Sequence, residues 1–180
     1  MEETICRLGK YVYLEPLSEK HLPSIVDFMN DPEIGKFLEV DGPVDLEGLK
    51  NSWMETAEED MQTNFIFAVC LRSTTETVGL CGLHEINVTQ KTAVTGYYIG
   101  CRYLWGRGYG TEAQMLLLDY AFNVLRLEEV IAEVLPTNIR SLRCIQKCGY
   151  LPKQTSSNTF SVGRERFNTL HKSHLQEYKR

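Results

Sequence analysis

Trp105-Gly106-Arg107-Gly108-Tyr109-Gly110-Thr111-Glu112-Ala113 is the stretch on which the fold turns. Its three glycines alternate between an apolar, aromatic run (Tyr97-Tyr98-Ile99) and a segment of strong helical periodicity. Glycines at alternate positions leave main-chain N–H groups uncovered and let a ligand approach the backbone. A helix that starts just beyond adds donors without intrahelical partners and the positive end of a dipole. The combination makes a seat for an anion, best suited to a phosphate or pyrophosphate. Gly106, Arg107, Gly108, Tyr109, Gly110 and Thr111 are its candidate residues. A Walker loop would end in Gly-Lys-Ser/Thr, whereas this one ends in Gly-Thr-Glu, and the third glycine comes one residue too early for a dinucleotide fingerprint. Taken alone, the stretch also reads as a tight strand-to-helix connection with no ligand.

Bulk properties narrow the class. The 180 residues, 43% hydrophobic and 24% charged, suit one ordinary globular domain spanning 1–180. No apolar run approaches the roughly 20 residues of a membrane span. Met1-Glu2-Glu3-Thr4 is acidic and gives no signal-peptide core, so a cytoplasmic protein is expected. A net charge of −5 disfavours a nucleic-acid partner and mildly favours a cationic acceptor. Six cysteines without a Cys-x-x-Cys pair read as buried free thiols, and no metal site is expected. Cys144 and Cys148, one helical turn apart, and His171 and His174 lack further ligands in the sequence.

Along the chain, Tyr11 to Glu15 reads as a strand, and Ser18 opens a helix carrying Leu22, Ile25, Val26 and Met29 on one face. A second helix covers Val44 to Glu59, with Leu46, Leu49 and Trp53 apolar and the acidic run from Glu55 to Asp60 at its solvated end. Phe65–Leu71, Thr77–Ile86 and Thr92–Cys101 form an antiparallel meander. Gly96 and Gly100 mark a bulge or close backbone approach in its third strand. Thr111 and Gln114 fit a capping box ahead of a helix through Val124. Glu129 to Leu135 is a further strand, Asn138 caps the next helix, and Gly149-Tyr150 ends it as in a Schellman motif. After a Ser/Thr/Asn segment at 155–159, Arg164 to Lys172 reads as the last strand.

About 28 residues beyond the glycine stretch lies Pro136-Thr137-Asn138-Ile139-Arg140-Ser141, then a helix ending Lys147-Cys148-Gly149-Tyr150. With these in place the chain resembles the GNAT superfamily of N-acetyltransferases, which carries Gln/Arg-x-x-Gly-x-Gly/Ala on its pyrophosphate loop, then Asn-x-x-Ser and a Gly-aromatic helix end. Trp-Gly-x-Gly-Tyr-Ala/Gly-Thr-Glu-Ala, Leu14-Glu15-Pro16-Leu17 and Asn30-Asp31-Pro32-Glu33-Ile34 look most like the ribosomal-protein N-terminal acetyltransferase (RimJ/RimL-type) branch. The likeness runs from about residue 10 to about 172. Trp105 stands in the Gln/Arg slot.

The resemblance implies an α/β fold with a mixed, mostly antiparallel sheet of about seven strands and four flanking helices. It implies acetyl transfer from acetyl-CoA, with no metal, to an amine-bearing acceptor: a protein N-terminus, a polyamine, an amino sugar or a small metabolite. A homodimer is left open. In the family the third meander strand splays from its neighbour, and its free amides, here around Ile99 and Cys101, bind the pantetheine arm. Asn138 and Ser141 would contact the same arm. The competing reading of Asn138 is a helix cap only, though both roles can coexist, and Arg107 reads as a phosphate contact or a solvated cation. Tyr109 is expected to pack or to cover the cofactor rather than to react, while Glu112 is expected to face away from the phosphates and serve structure. Glu133 matches the catalytic glutamate of related ribosomal alanine acetyltransferases, with a solvated strand residue as the other reading. Glu85 and His84 are second choices for the base. Many relatives place a proton-donating tyrosine four residues after the serine, where this chain has Ile145. Ser141 or a nearby tyrosine would then take its place, or the thiolate leaves unassisted. A rival reading is a module that holds CoA without turnover.

Overall fold

The structure is a computed structural model that describes residues 7–38, 42–59, 64–154 and 158–177, with the backbone alone at 53–59 and 172–177. The side chains of Trp53, of the acidic run at 55–60 and of His174, and the whole segment at 155–157, therefore lie outside the described residues. No helix among the described residues is long and apolar enough to cross a membrane.

Eight strands form one sheet: β1 (Arg7–Leu8), β2 (Val12–Pro16), β3 (Phe65–Leu71), β4 (Thr77–Asn87), β5 (Thr92–Ile99), β6 (Glu129–Glu133), β7 (Leu151–Pro152) and β8 (Thr159–Gly163). Their order is β1-β2-β3-β4-β5-β6-β8-β7, and every pairing is antiparallel except β5 with β6. Six α-helices accompany it: α1 (Leu22–Met29), α2 (Pro32–Gly35), α3 (Leu46–Glu59), α4 (Tyr109–Asn123), α5 (Ile139–Lys147) and α6 (Arg164–Glu177). The mixed, mostly antiparallel architecture is the expected one, with one strand and two helices more than expected. Two-residue edge strands and the four-residue α2 carry too little periodicity to be read from sequence.

The largest departure is at the C-terminus, where the expected last strand is α6 and the strand lies just before it at Thr159–Gly163. Phe167 and His171, four residues apart, are the buried pair of this helix, and their rings lie 4.9 Å apart. That spacing is helical, and burial of Phe167 against Phe122 of α4 decides in favour of a helix.

At the centre, α4 is buried on most of its circumference. Ala113, Leu116, Leu117, Leu118, Tyr120, Ala121 and Phe122 are enclosed by the sheet, α5 and α6. Removal of each large side chain from water contributes about 1.5–3 kcal/mol. The first turn of α4 is held by Glu112, whose carboxylate accepts the backbone N–H groups of Lys10, Tyr11 and Val12 at 2.6, 2.8 and 2.8 Å. Glu112 thus ties the helix start to the β1–β2 hairpin, in the structural role expected of it. At the other end of the site, Gly149 (φ +96°) lets α5 stop in a Schellman motif: Gly149 N–H donates to Gln146 O and Tyr150 N–H to Ile145 O.

Candidate active site

The glycine stretch forms an open cradle. Gly106 and Gly108 adopt left-handed φ values of +73° and +93°, and no heavy atom lies within 4 Å of the place where either would carry a Cβ. Gly108 is the N-cap of α4, so the helix starts before Thr111. This overturns the expected capping box. Thr111 sits inside the first turn with its hydroxyl on Cys144 Sγ, and Gln114 is fully buried, donating to Thr95 Oγ1 and Tyr150 Oη. The first satisfied amide of the helix is that of Glu112, bonded to Gly108 O at 2.9 Å. Among the described residues the N–H groups of Gly106, Gly108, Tyr109, Gly110 and Thr111 have no acceptor. Gly106 and Gly108 are exposed and the other three half-buried, so these donors stand open to water or to a ligand.

Beside this cradle the sheet opens. β5 and β6 pair from Thr92–Glu129 to Thr95–Ala132 and then part, although β5 continues to Ile99. A cavity of about 460 Å³ fills the gap. Gly106, Gly108, Gly110 and Thr111 line it at one end, Gly96 to Ile99 along one wall, and Val134, Leu135, Asn138 and Ser141 along the other. Asn138 caps α5 by accepting the Ser141 N–H at 3.2 Å. Tyr97 reaches across from β5 and places its hydroxyl 3.1 Å from Ser141 Oγ. Burial pushes the Tyr97 phenol up.

Trp105 gives its slot a role that the sequence did not reveal. Its indole Nε1–H donates to Ile99 O at 2.6 Å, which pins the loop to the end of β5. The Arg140 guanidinium stacks on its ring, 3.7 Å from the centroid. Arg140, Arg143 and Lys147 all line the cavity from α5, and their spacing repeats one helix stripe. Such a stripe creates a positive potential that suits a diphosphate. The bare amides, the Cβ-free cradle and these cations together fit acetyl-CoA.

Glu33, Ile34, Phe37, Leu38 and Glu133 also line the cavity, so two carboxylates and an apolar surface share it. Tyr98 also lines it, and its buried hydroxyl has no hydrogen-bond partner among the described residues.

Several expected residues stand elsewhere. Glu85 is at a bulge of β4 with φ +51°, solvent-facing, and only its neighbour His84 is near, at 3.8 Å. Neither Glu85 nor His84 lines the cavity. Cys101 and Arg107 stand outside the lining, and Tyr109 packs on Tyr11 at 5.6 Å, so it offers the site its amide and not its ring. Ile145 is fully buried in the core. Away from the site, Glu15, His21 and Cys70 come close enough to suggest a metal. His21 Nδ1, however, accepts the Ser18 N–H, which leaves the proton on Nε2 to donate to Glu15 at 2.6 Å. The cluster is a satisfied hydrogen-bond chain in which Nε2 has no lone pair for an ion.

Known proteins share the family and the fold. The model of the acetyltransferase (GNAT) domain family matches residues 12–151. An uncharacterized N-acetyltransferase, p20, of Bacillus licheniformis is 27% identical over 128 residues, 70% of this chain and 71% of that protein. YjcK of Bacillus subtilis (strain 168), named as a probable N-acetyltransferase, is 29% identical over 150 residues, 79% of this chain and 81% of its own. Among solved structures, a spermidine N-acetyltransferase from Vibrio cholerae, in complex with CoA and spermine, superposes with a TM-score of 0.76 at 17% identity. That match covers 87% of this chain and 97% of the other. A presumed ribosomal-protein-serine acetyltransferase from the same organism gives 0.75 at 21% identity, covering 91% and 99%. At such identities the two structures speak for the fold alone.

Proposed function

Because the chain belongs to the GNAT acetyltransferase family, we propose that it moves an acetyl group from acetyl-CoA to a primary amine by direct attack within a ternary complex. The observation that carries this reading is the row of unpaired amides at the start of α4, placed at the mouth of the cleft where β5 and β6 part. Amides of residues 106 to 111 would hold the pyrophosphate, with Arg140, Arg143 and Lys147 adding charge. The free edge of β5 and Asn138 would hold the arm.

An amine must be neutral to attack. An α-amino group has a pKa of about 7.7–8 and a lysine-like amine about 10.4, so the second needs more help. Glu133 lines the cavity where the strands part and is the base in this proposal; Glu33, also in the lining and paired with Lys36 at 2.7 Å, would exchange that lysine for a cationic amine. When the carbon–sulfur bond breaks, the departing thiolate takes a proton or leaves as the anion. The Tyr97–Ser141 pair stands in for the phenol that Ile145 cannot supply: Tyr97 holds a hydroxyl against α5 from the strand side. The likeness to a spermidine acetyltransferase and to a presumed ribosomal-protein-serine acetyltransferase supports acceptors of both kinds, a polyamine and a protein N-terminus.

The test is to incubate the protein with acetyl-CoA and a panel of spermidine, peptides with free N-termini, amino sugars and small amines while titrating released thiol. Acceptor-dependent thiol release is expected. Tight binding of acetyl-CoA with no acetylated amine would replace the enzyme by a CoA-binding module, the reading that Ile145 favours.

A further inference from the structure

Several polar side chains that line the cavity are already taken up by the protein. Thr111 donates to Cys144, a thiol that is half-buried where a buried one was expected. Asn138 accepts the Ser141 N–H, and the Tyr97 hydroxyl meets Ser141 Oγ. Tyr98 is unlike them. It follows Tyr97 on β5, so its side chain stands on the other face of the sheet. Phe28 of α1 holds its ring edge-on, with centroids 6.5 Å apart and planes at 83°. Gly100 makes room for this, since a Cβ there would collide with the Phe28 ring. The phenol therefore has a fixed place, yet its hydroxyl is shut off from water and has no hydrogen-bond partner among the described residues. Burial pushes the phenol up, and no charge or hydrogen bond contributes to the shift. A buried hydroxyl without a partner costs free energy, and folded chains keep few of them. Gly96, two residues earlier, stands on the same face and lines the same cavity. Apart from its chain neighbours, only His84 Nε2, at 3.8 Å, lies within 4 Å of the place of its missing Cβ among the described residues. The strip of β5 leading to Tyr98 is thus bare on the side where the phenol stands.

We propose that Tyr98 is a specificity-determining residue for the acceptor: its hydroxyl bonds to a second polar group on the amine, so that amines carrying an amide, a hydroxyl or a further amino group are preferred to plain alkylamines of the same size. This rests on the acetyl-transfer reading given above. A phenol both donates and accepts, so it serves a carbonyl and an N–H alike. Folding has already stripped water from this hydroxyl, so only the ligand's own group gives up water when the bond forms, and the gain exceeds that of a solvated hydroxyl. An alkylamine gains nothing there. A rotation of a lining side chain, ordinary when a ligand binds, uncovers the hydroxyl.

The experiment compares Tyr98→Phe with the unaltered chain. Thermal unfolding without ligand comes first. Loss of an unpartnered hydroxyl should raise Tm by about 2–4 °C, whereas loss of a bonded one lowers it. Steady-state acetylation at saturating acetyl-CoA follows, on probes paired by size: glycinamide with isobutylamine, and 1,4-diaminobutane with pentylamine. The substitution should lower kcat/KM about tenfold for glycinamide and 1,4-diaminobutane, through KM, and by less than about twofold for isobutylamine and pentylamine. Acetyl-CoA affinity, read by calorimetry, should not change. A lower Tm means that the hydroxyl has a partner in the free protein, and overturns the proposal. An equal effect on both members of each pair, or on neither, overturns it as well. Acetyl-CoA binding with no amine acetylated by either chain overturns the transfer reading instead. The same probes are then ranked by their protection against thermal unfolding, and a preference for glycinamide and 1,4-diaminobutane that Tyr98→Phe removes still upholds Tyr98. Probes that neither react nor protect overturn its acceptor role.

Discussion

Gly108→Ala separates the phosphate cradle from the fold that bears it. Gly108 sits at φ +93°, where an added Cβ strains the backbone by about 1–2 kcal/mol. The new methyl meets no protein atom within 4 Å, so no clash adds to that cost. Stability should therefore fall by about 1–2 kcal/mol, a drop in Tm of about 2–8 °C for a chain of this size. The ligand loses much more. A methyl group over the cradle keeps a diphosphate from at least two of the unpaired amides. Each such charge-assisted bond contributes about 1.5–3 kcal/mol. Two of them amount to about 3–6 kcal/mol, or roughly 10²–10⁴ in affinity. Calorimetric titration with acetyl-CoA reads this directly. Thermal unfolding gives a second reading: at about 100 times Kd the ligand stabilises the native chain by about 2.7 kcal/mol, a rise of about 5–11 °C, which the substitution should erase. Gly110→Ala is the control. Its Cβ would lie 3.5 Å from Ile99 Cγ1 and 3.9 Å from Tyr97 Cε2, ordinary contacts, and inside a helix alanine stabilises by up to about 1 kcal/mol over glycine. Affinity should survive there. A Gly108→Ala protein that loses the expected stability yet binds acetyl-CoA like the unaltered chain refutes the cradle.

Four further outcomes are expected. Glu133→Gln should lower turnover by about 10²–10⁴ with acetyl-CoA affinity kept, and a near-normal rate at neutral pH makes Glu133 a bystander. Tyr97→Phe should cost about 10² in turnover at unchanged affinity; an unaltered rate means that the thiolate leaves unassisted. Glu112→Gln sets an amide group against the N–H groups of Lys10, Tyr11 and Val12 and should destabilise by about 2–4 kcal/mol, seen as a Tm about 4–16 °C lower; a shift within 2 °C or so would remove the anchor role. Stability should also fall in acid. Burial acts to raise the Glu15 and Glu129 carboxyls, but hydrogen bonds from Lys20 and His21, and from Ser161 and Lys153, more than offset it and hold both below 4.5. The unfolded chain then binds these protons first as pH falls, so their contribution is present above about 4.5 and is lost below it. Urea midpoints that stay level between about pH 5 and pH 3 would contradict this.

Residues whose partners lie nearby in the chain announced themselves. Gly108 and Gly110 before an apolar-periodic run, Asn138 three residues before Ser141, and Gly149-Tyr150 after α5 are local devices, and each forms as its spacing implies. The meander of β3, β4 and β5 was equally legible, since short turns leave adjacent strands little choice of partner. The C-terminal helix was not, because Arg164 to His171 offers one buried phenylalanine and one buried histidine, too few to fix a period without the surface they cover.

What only the folded chain could decide was which distant side chains meet. Glu112 finds three amides about a hundred residues away, Tyr97 finds Ser141, Trp105 receives Arg140, and Cys144 meets Thr111. The sequence alone determined the glycine turn that opens α4, because backbone conformation and helix ends follow from neighbouring residues. The surroundings of Cys144 and the loss of Glu85 from the site followed from strand register and helix packing, since a shift of one residue in either would have exchanged the faces on which these groups stand.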